Sequence, residues 1–105
     1  MSEAIAKYQK LVEQHPQNEL ARFSLGKAFF DAQRFPEAKE QFERALAKKP
    51  DWMVVQILLG KIELSLANRP AAKAAFGRAL QLAKDQNHEG PQAEMEQLLA
   101  DWDEA

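Results

Sequence analysis

Apolar residues recur along most of the chain with the three-to-four-residue spacing of helical faces. Interruptions in this pattern divide the chain into six predicted helices, arranged largely as pairs. Asn18 and Asp51 are predicted N-caps of the first helix of each pair, which runs to about Gln33 or Ala67. Pro36 and Pro70 are predicted to open the second helices, because proline at the first helical position has no needed N–H to lose.

The chain contains an internal repeat of 34 residues. Residues 19–52 placed on residues 53–86 give 11 identities, which lie mostly on helical faces or at helix starts. The identities are Leu25/Leu59, Gly26/Gly60, Lys27/Lys61, Pro36/Pro70, Ala38/Ala72, Lys39/Lys73, Phe42/Phe76, Arg44/Arg78, Ala45/Ala79, Leu46/Leu80 and Asp51/Asp85.

The identities predict how the two helices of a pair pack. Ala38, Phe42 and Ala45 share one helical face, on which small residues flank a large one. The small residues permit close approach of the helices, and the phenylalanine fills the space between them. Glycine in a helix interior costs roughly 1 kcal/mol, so Gly26 and Gly60 are expected to be there for packing. We expect them to permit the same close approach from the first helices.

These patterns predict a single domain over residues 1–105. Residues 2–16 form a half-repeat in which Ser2 is the N-cap and Tyr8 aligns with Phe42; residues 19–52 and 53–86 form two repeats. Gly90-Pro91 is predicted to mark a break. A final helix, roughly 91–102 and within a capping segment 91–103, carries an apolar stripe expected to cover the last repeat: Met95, Leu98, Leu99 and Trp102.

Residues 19–86 resemble two tetratricopeptide repeats, whose pattern is Trp-x2-Leu-Gly-x2-Tyr, then Ala-x3-Phe, a further Ala and a Pro. The first repeat matches at Leu25, Gly26, Phe29, Ala38, Phe42, Ala45 and Pro50. The second repeat matches at Leu59, Gly60, Ala72, Phe76 and Ala79. The chain departs from the pattern at Arg22 and Gln56 (for Trp), at Glu63 (for Tyr) and at Lys84 (for Pro), so the last second helix is expected to extend to about Asn87.

The resemblance implies an all-α, right-handed superhelical stack of antiparallel helix pairs. It also implies a concave groove, lined by the first helices, that receives a peptide or helix of a partner protein. By family position the groove residues are Leu20, Phe23, Ser24, Lys27, Phe30, Asp31, Val54, Ile57, Leu58, Lys61, Leu64 and Ser65. The family's carboxylate clamp needs Lys and Asn where this chain has Phe23 and Lys27, so chaperone binding is not implied.

Charge gives a first indication of the partner. Lys27 and Lys61 occupy equivalent positions beside an apolar strip, an arrangement that suits a segment bearing carboxylates; the alternative is that both lysines only favour solubility. Residues 1–84 carry 14 Lys and Arg against nine acids, a net +5, whereas residues 85–105 carry seven acids and no Lys or Arg. The acidic final helix is therefore either a solvated cap or a ligand for the groove.

Composition excludes several other functions. The 105 residues are 46% hydrophobic and 29% charged, which is typical of a globular domain, and they include no cysteine. No apolar run is long enough for a membrane span. The sequence also lacks the apolar block of a secretory signal, which favours the cytoplasm. His15 and His88 lack catalytic neighbours, so no enzyme activity, metal or cofactor is expected. RNA binding is a rival hypothesis that the acidic pI of 5.7 disfavours. Self-association by edge-to-edge stacking, which would cover Trp52, Trp102 or the open N-terminal half-repeat, is a further hypothesis.

Overall fold

A computed structural model describes residues 3–102, which form six α-helices and no strand. The all-α fold class is therefore confirmed. Ser2 and Asp103, the expected N-cap and the last residue of the expected capping segment, lie outside the described residues. The helices are α1 (Glu3–Gln14), α2 (Glu19–Asp31), α3 (Phe35–Lys48), α4 (Met53–Ser65), α5 (Arg69–Asp85) and α6 (Glu89–Ala100).

The helices form two compact units that divide between Pro50 and Asp51. In the first unit α2 packs against both α1 and α3, and in the second unit α5 packs against both α4 and α6. The pairs α2–α3 and α4–α5 are joined by three-residue connections, so each pair forms an antiparallel hairpin.

Three of the connections use the same turn to stop one helix and start the next. Gln33, Ala67 and Asn87 each adopt a left-handed backbone with φ between 58° and 61°. After α2, the Arg34 N–H donates to the Phe29 carbonyl oxygen at 2.8 Å and the Gln33 N–H donates to the Phe30 carbonyl oxygen at 2.9 Å. This is the Schellman arrangement, which satisfies the carbonyl groups that a helix end leaves without partners.

The helix ends correct three of the sequence predictions. The prediction that Asp51 caps α4 is wrong, because the N-cap is Trp52, whose side chain makes no capping hydrogen bond. The prediction of a break at Gly90-Pro91 is also wrong: α6 begins at Glu89, and both residues lie in its first turn. There Pro91 is tolerated because the first N–H groups of a helix have no intrahelical partner. Pro36 and Pro70 lie at the second helical position rather than the first.

The predicted close packing within each pair is confirmed. Phe42 and Phe76 are almost fully buried, and the alanines on either side of each are likewise inaccessible. A Cβ placed on Gly26 would come within 2.7 Å of Cδ1 of Phe42, and one on Gly60 would clash with the Phe76 ring. Each glycine therefore leaves space that the phenylalanine ring of the second helix occupies.

Candidate functional site

The first unit presents half of the predicted groove residues on α2. Leu20 and Asp31, near the two ends of this helix, are exposed, and Leu20 is 62% exposed. The remaining four side chains are half-buried: Phe23, Ser24, Lys27 and Phe30. The helix therefore offers a surface on which apolar side chains alternate with polar ones.

Two aromatic contacts hold the phenylalanines of this α2 surface in place. The Phe23 ring lies 5.9 Å from the ring of Phe42, and the Phe30 ring meets that of Phe35 edge-on at 5.7 Å. Such ring pairs favour defined orientations. The exposed parts of Phe23 and Phe30 are therefore presented in a fixed arrangement.

Lys27 is engaged by its own helix. Its Nζ donates to Oδ1 of Asp31 at 2.8 Å and lies 5.7 Å from the centroid of the Phe30 ring. Both charged side chains remain about half exposed, so the pair contributes little to stability. The pair nevertheless places the Asp31 carboxylate beside the Lys27 ammonium, which the sequence predicts as a contact for a carboxylate of the ligand.

The second unit presents the other half of the predicted residues on α4. Val54, Lys61, Leu64 and Ser65 are exposed, Ile57 is half-buried, and Leu58 belongs to the core at 8% exposure. Ser65 occupies the repeat position of Asp31, so Lys61 lacks the carboxylate that Lys27 has one turn later. Within residues 3–102, Lys61 forms no ion pair.

Exposed apolar side chains are concentrated on these two first helices. Four large hydrophobic residues of the described chain are classed as exposed, and three of them are in the predicted set: Leu20, Val54 and Leu64. Leu20 and Val54 occupy equivalent positions of the two repeats. The fourth, Leu66, directly follows α4, so none of the four belongs to the second helices α3 and α5.

Sequence reasoning missed a groove within the second unit. Its volume is about 520 Å³, and it lies between α4 and α6 above the ring of Phe76. The apolar lining is completed by Leu64, Met95 and Leu98, and the polar lining consists of Lys61, Glu94, Gln97 and Asp101. The acidic composition of α6 was the available signal, but the sequence could not tell which acids face the groove.

Trp102 anchors the end of α6 in the second unit. Its ring meets that of Phe76 edge-on at 6.0 Å, and it joins Met95 in a cluster with the buried residues of α5. The Arg69 guanidinium lies 4.7 Å from the Trp102 ring centroid, and its Nη2 donates to the Trp102 carbonyl oxygen at 2.8 Å. These contacts fix the helix that forms one wall of the groove.

Polar bridges replace the family's tryptophan in both repeats. In the first repeat Arg22 Nη1 donates to Oε1 of Gln41 at 3.0 Å, and in the second Arg78 Nε donates to Oε1 of Gln56 at 3.3 Å. Glu63, at the family's tyrosine position, is 8% exposed. Across residues 3–102 no buried side-chain polar atom lacks a hydrogen-bond partner. These departures are accommodated as part of the folded structure.

A second cleft, of about 400 Å³, lies in the first unit and is lined by Arg22, Arg44 and Lys48 among others. One of these cations, Arg44, forms an ion pair, in which its Nη2 lies 3.1 Å from Oε1 of Glu40. Arg22 donates to the neutral amide oxygen of Gln41 and keeps its charge. Glu19 also lines the cleft, so the charge of the lining is mixed.

Two features that mark other classes of protein are absent from the described residues. No helix in residues 3–102 has the length and apolar content of a membrane span. Over the same range, no three side chains of the His, Cys, Asp and Glu types are grouped so that they could hold a metal ion.

Comparison with known proteins supports the repeat assignment. No curated protein matches the chain. Among solved structures, the TPR2B domain of yeast Sti1, in its complex with pHsp70, matches with a TM-score of 0.81 and 18% identity, covering 92% of this chain and 78% of that one. MamA matches with a TM-score of 0.72 and 18% identity, covering 91% of this chain and 63% of that one. At such identities the likeness shows the fold alone.

The family itself is shown by the sequence. A family model described as tetratricopeptide repeat matches residues 1–62, more than half of the chain. This range contains α1 and the helix pair in which Gly26 faces Phe42, and the second pair repeats the same contact 34 residues later. The chain therefore belongs to the tetratricopeptide repeat family.

Proposed function

We propose that the chain is a non-catalytic adaptor that binds a peptide or helix of a partner protein on its first-helix surfaces. The observation that carries this proposal is the location of the exposed apolar side chains. Leu20, Val54 and Leu64 are exposed on α2 and α4, in positions that the family uses for ligands. Apolar side chains left in solvent become favourable binding contacts when a partner covers them.

The two solved structures support the proposal through their fold only. The printed description of the Sti1 domain names a complex with pHsp70, which is a property of that protein. In this chain the positions that a chaperone-binding clamp requires hold Phe23 and Lys27 instead. We therefore propose a partner segment other than an acidic chaperone terminus. Cytoplasmic localisation stays a prediction from the sequence.

The charge of the partner follows from the lysines. Lys27 is already paired with Asp31, whereas Lys61 has no ion pair within the described chain. A carboxylate or a carbonyl oxygen of the bound segment would therefore gain most at Lys61. Of the two lysines that the sequence predicts as contacts for a carboxylate-bearing ligand, we therefore propose Lys61 as the main one.

A pull-down with purified baits tests the proposed surface. The variant Leu20→Gln/Val54→Gln removes exposed apolar surface from both first helices, and Leu66→Gln removes a similarly exposed leucine outside the predicted set. We expect the first-helix variant to lose a partner from the native lysate that wild type and Leu66→Gln retain, with unchanged circular dichroism. A partner held equally by all three baits would contradict the proposed surface.

A second pair of baits tests the role of charge. Lys27→Glu/Lys61→Glu reverses equivalent lysines on the first helices, and Lys39→Glu/Lys73→Glu reverses equivalent lysines on the second helices. Of the single variants Lys27→Glu and Lys61→Glu, Lys61→Glu should cause most of the loss of bound partner. Equal losses with the second-helix variant would show that net charge, rather than the first-helix surface, controls binding. Light scattering on each bait reports whether self-association competes with the partner.

A further inference from the structure

We propose that the groove of the second unit selects a peptide segment in which an apolar side chain lies next to a lysine or arginine. This inference rests on the proposed function, because it identifies the chemistry of a segment that the interaction module would bind. It adds a requirement for a basic side chain, which the lysines of the first helices do not suggest.

The apolar requirement follows from the floor of the groove. Phe76 and Met95 are almost fully buried and form its base, while Leu64 on α4 remains 37% exposed at its edge. Leu98 of α6 is partly buried against the same cluster. A volume of about 520 Å³ falls in the range of roughly 300–1,000 Å³ that is usual for ligand pockets. An aliphatic or aromatic side chain of the partner can therefore enter and remove the exposed parts of Leu64 and Leu98 from water.

The basic requirement follows from the rim. Glu94 and Asp101 lie on the α6 side, and Lys61 lies on the α4 side. Although they line the same groove, Lys61 forms no ion pair with either acid. Asp101 accepts a hydrogen bond from Nε2 of Gln97 at 2.8 Å, which leaves its carboxylate charge unneutralised.

The surroundings strengthen the negative side of the groove. Residues 85–105 carry seven acids and no Lys or Arg, so no cation of this segment competes for Glu94 or Asp101. A lysine or arginine next to the anchoring side chain would meet these carboxylates as the apolar surfaces close. The accompanying loss of water strengthens opposite-charge contacts. At the other edge Lys61 can donate to a carbonyl or carboxylate oxygen of the same segment.

Selection from a random peptide library against the purified full chain tests the inference. We expect enriched sequences to share an apolar residue with a lysine or arginine next to it. Binding of the selected peptides, labelled with fluorescein, is then measured by fluorescence anisotropy at low and moderate salt. A consensus of apolar and acidic residues without a basic one would overturn the proposal.

Matched variants locate the binding. Glu94→Lys should weaken the selected peptides by about fivefold at low salt and less at moderate salt, whereas Glu96→Lys, with the same change of net charge outside the groove, should have little effect. Leu64→Ser should weaken them by about fivefold, and Leu66→Ser, at nearly equal exposure, should not. Equal effects within either matched pair would overturn the assignment of the groove.

The outcomes separate this inference from the proposed function. If the selected peptides depend on Leu20 or Val54 but ignore Glu94 and Leu64, binding on the first helices stands and the groove specificity is wrong. If the library yields no peptide that binds above background, the groove specificity is wrong, and the pull-down with the first-helix variants decides the proposed function by itself. Thermal melts of every variant show whether a lost signal reflects unfolding.

Discussion

The two repeats share their internal packing but differ on their surfaces. In both, a first-helix glycine faces a second-helix phenylalanine that is almost fully buried. The phenylalanines nevertheless have different ring partners: Phe42 contacts Phe23 of its own hairpin, whereas Phe76 contacts Trp102 beyond α6. The second repeat thus depends on a residue outside the repeat, because Ile57 stands at the position of Phe23.

The helix caps are reversed between the repeats. In the first repeat Asn18 caps the first helix and Arg34, which makes no side-chain capping bond, precedes the second. In the second repeat the first helix follows Trp52 without a side-chain cap and Asn68 caps the second helix. Each hairpin therefore has one side-chain cap.

Comparison of the two repeats indicates which positions of the chain are free to vary. The glycine and the phenylalanine of this contact, and the alanines on either side of the ring, are the same in both repeats. A change in volume there would be felt by the whole hairpin. Positions on the first-helix surfaces differ, as Lys27 with Asp31 and Lys61 with Ser65 show. The second surface therefore carries a cation, Lys61, that forms no ion pair within the described residues.

The largest expected effect comes from removing the ring partners. Trp102→Ala should lower the free energy of unfolding by about 3 kcal/mol, because it empties a buried site beside Phe76. Phe23→Ala should cost about 2 kcal/mol, since Phe23 is only half-buried. Urea unfolding followed by circular dichroism measures both values. A larger cost for Phe23 would contradict the dependence of the second repeat on the chain end.

Replacing glycine by alanine should change the free energy of unfolding in opposite directions at different glycines. Gly26→Ala and Gly60→Ala should each destabilise by about 1–3 kcal/mol, because the added Cβ would strike the phenylalanine ring. Gly77→Ala is the matched control: a Cβ there meets nothing within 4 Å, so the better helix propensity of alanine should stabilise by about 0.5–1 kcal/mol. Stabilisation by all three changes would show that the rings move aside without cost.

The helix pairs and their core could be predicted from the sequence because the residues of the same contact occur at equivalent positions in both repeats. The 34-residue spacing of Gly26 and Gly60, and of Phe42 and Phe76, indicated the close approach that the structure shows. The predicted cap at Asn18 is also confirmed, because the Asn18 side chain accepts hydrogen bonds from the N–H groups of Leu20 and Ala21. Local capping chemistry and periodic burial are both visible in a single sequence.

The remaining features depend on contacts between residues that are distant in the sequence. Nothing near Lys61 in the sequence indicates that Glu94 and Asp101 line the same groove, because that depends on how α6 packs. Likewise, the pairing of Arg69 with Trp102 joins residues 33 positions apart. The twelve predicted groove residues and the single-domain organisation stay predictions.

The reversed caps should differ in strength. Asn18→Ala should destabilise by about 1 kcal/mol, because the Asn18 side chain accepts two hydrogen bonds, at 2.9 and 3.2 Å. Asn68→Ala should cost about half as much, since Asn68 accepts one bond at 3.3 Å. Differences in unfolding free energy from urea titration measure both values. Equal costs would mean that the second bond at Asn18 adds nothing.

The smallest expected effect concerns the position at which the second helix of the first repeat begins without a side-chain cap. There Nε and Nη2 of Arg34 donate to Oε2 of Glu37, at 2.9 and 2.6 Å, and these bonds hold the pKa of Glu37 below its ordinary value of 4.5. The second repeat has no such pair, because its residues there are Asn68 and Ala71.

A lowered pKa in the folded state means that this pair stabilises the fold above pH 4.5 and that its contribution is lost as the pH falls through the lowered pKa. Arg34→Ala should therefore move the Glu37 pKa back towards 4.5, as carboxyl NMR titration would show. Arg44→Ala is the control, because Arg44 pairs with Glu40 on the same helix and should leave Glu37 unchanged. If Arg34→Ala left the Glu37 titration in place, the N–H groups of the helix N-terminus, rather than the arginine, would hold the carboxylate in its charged form.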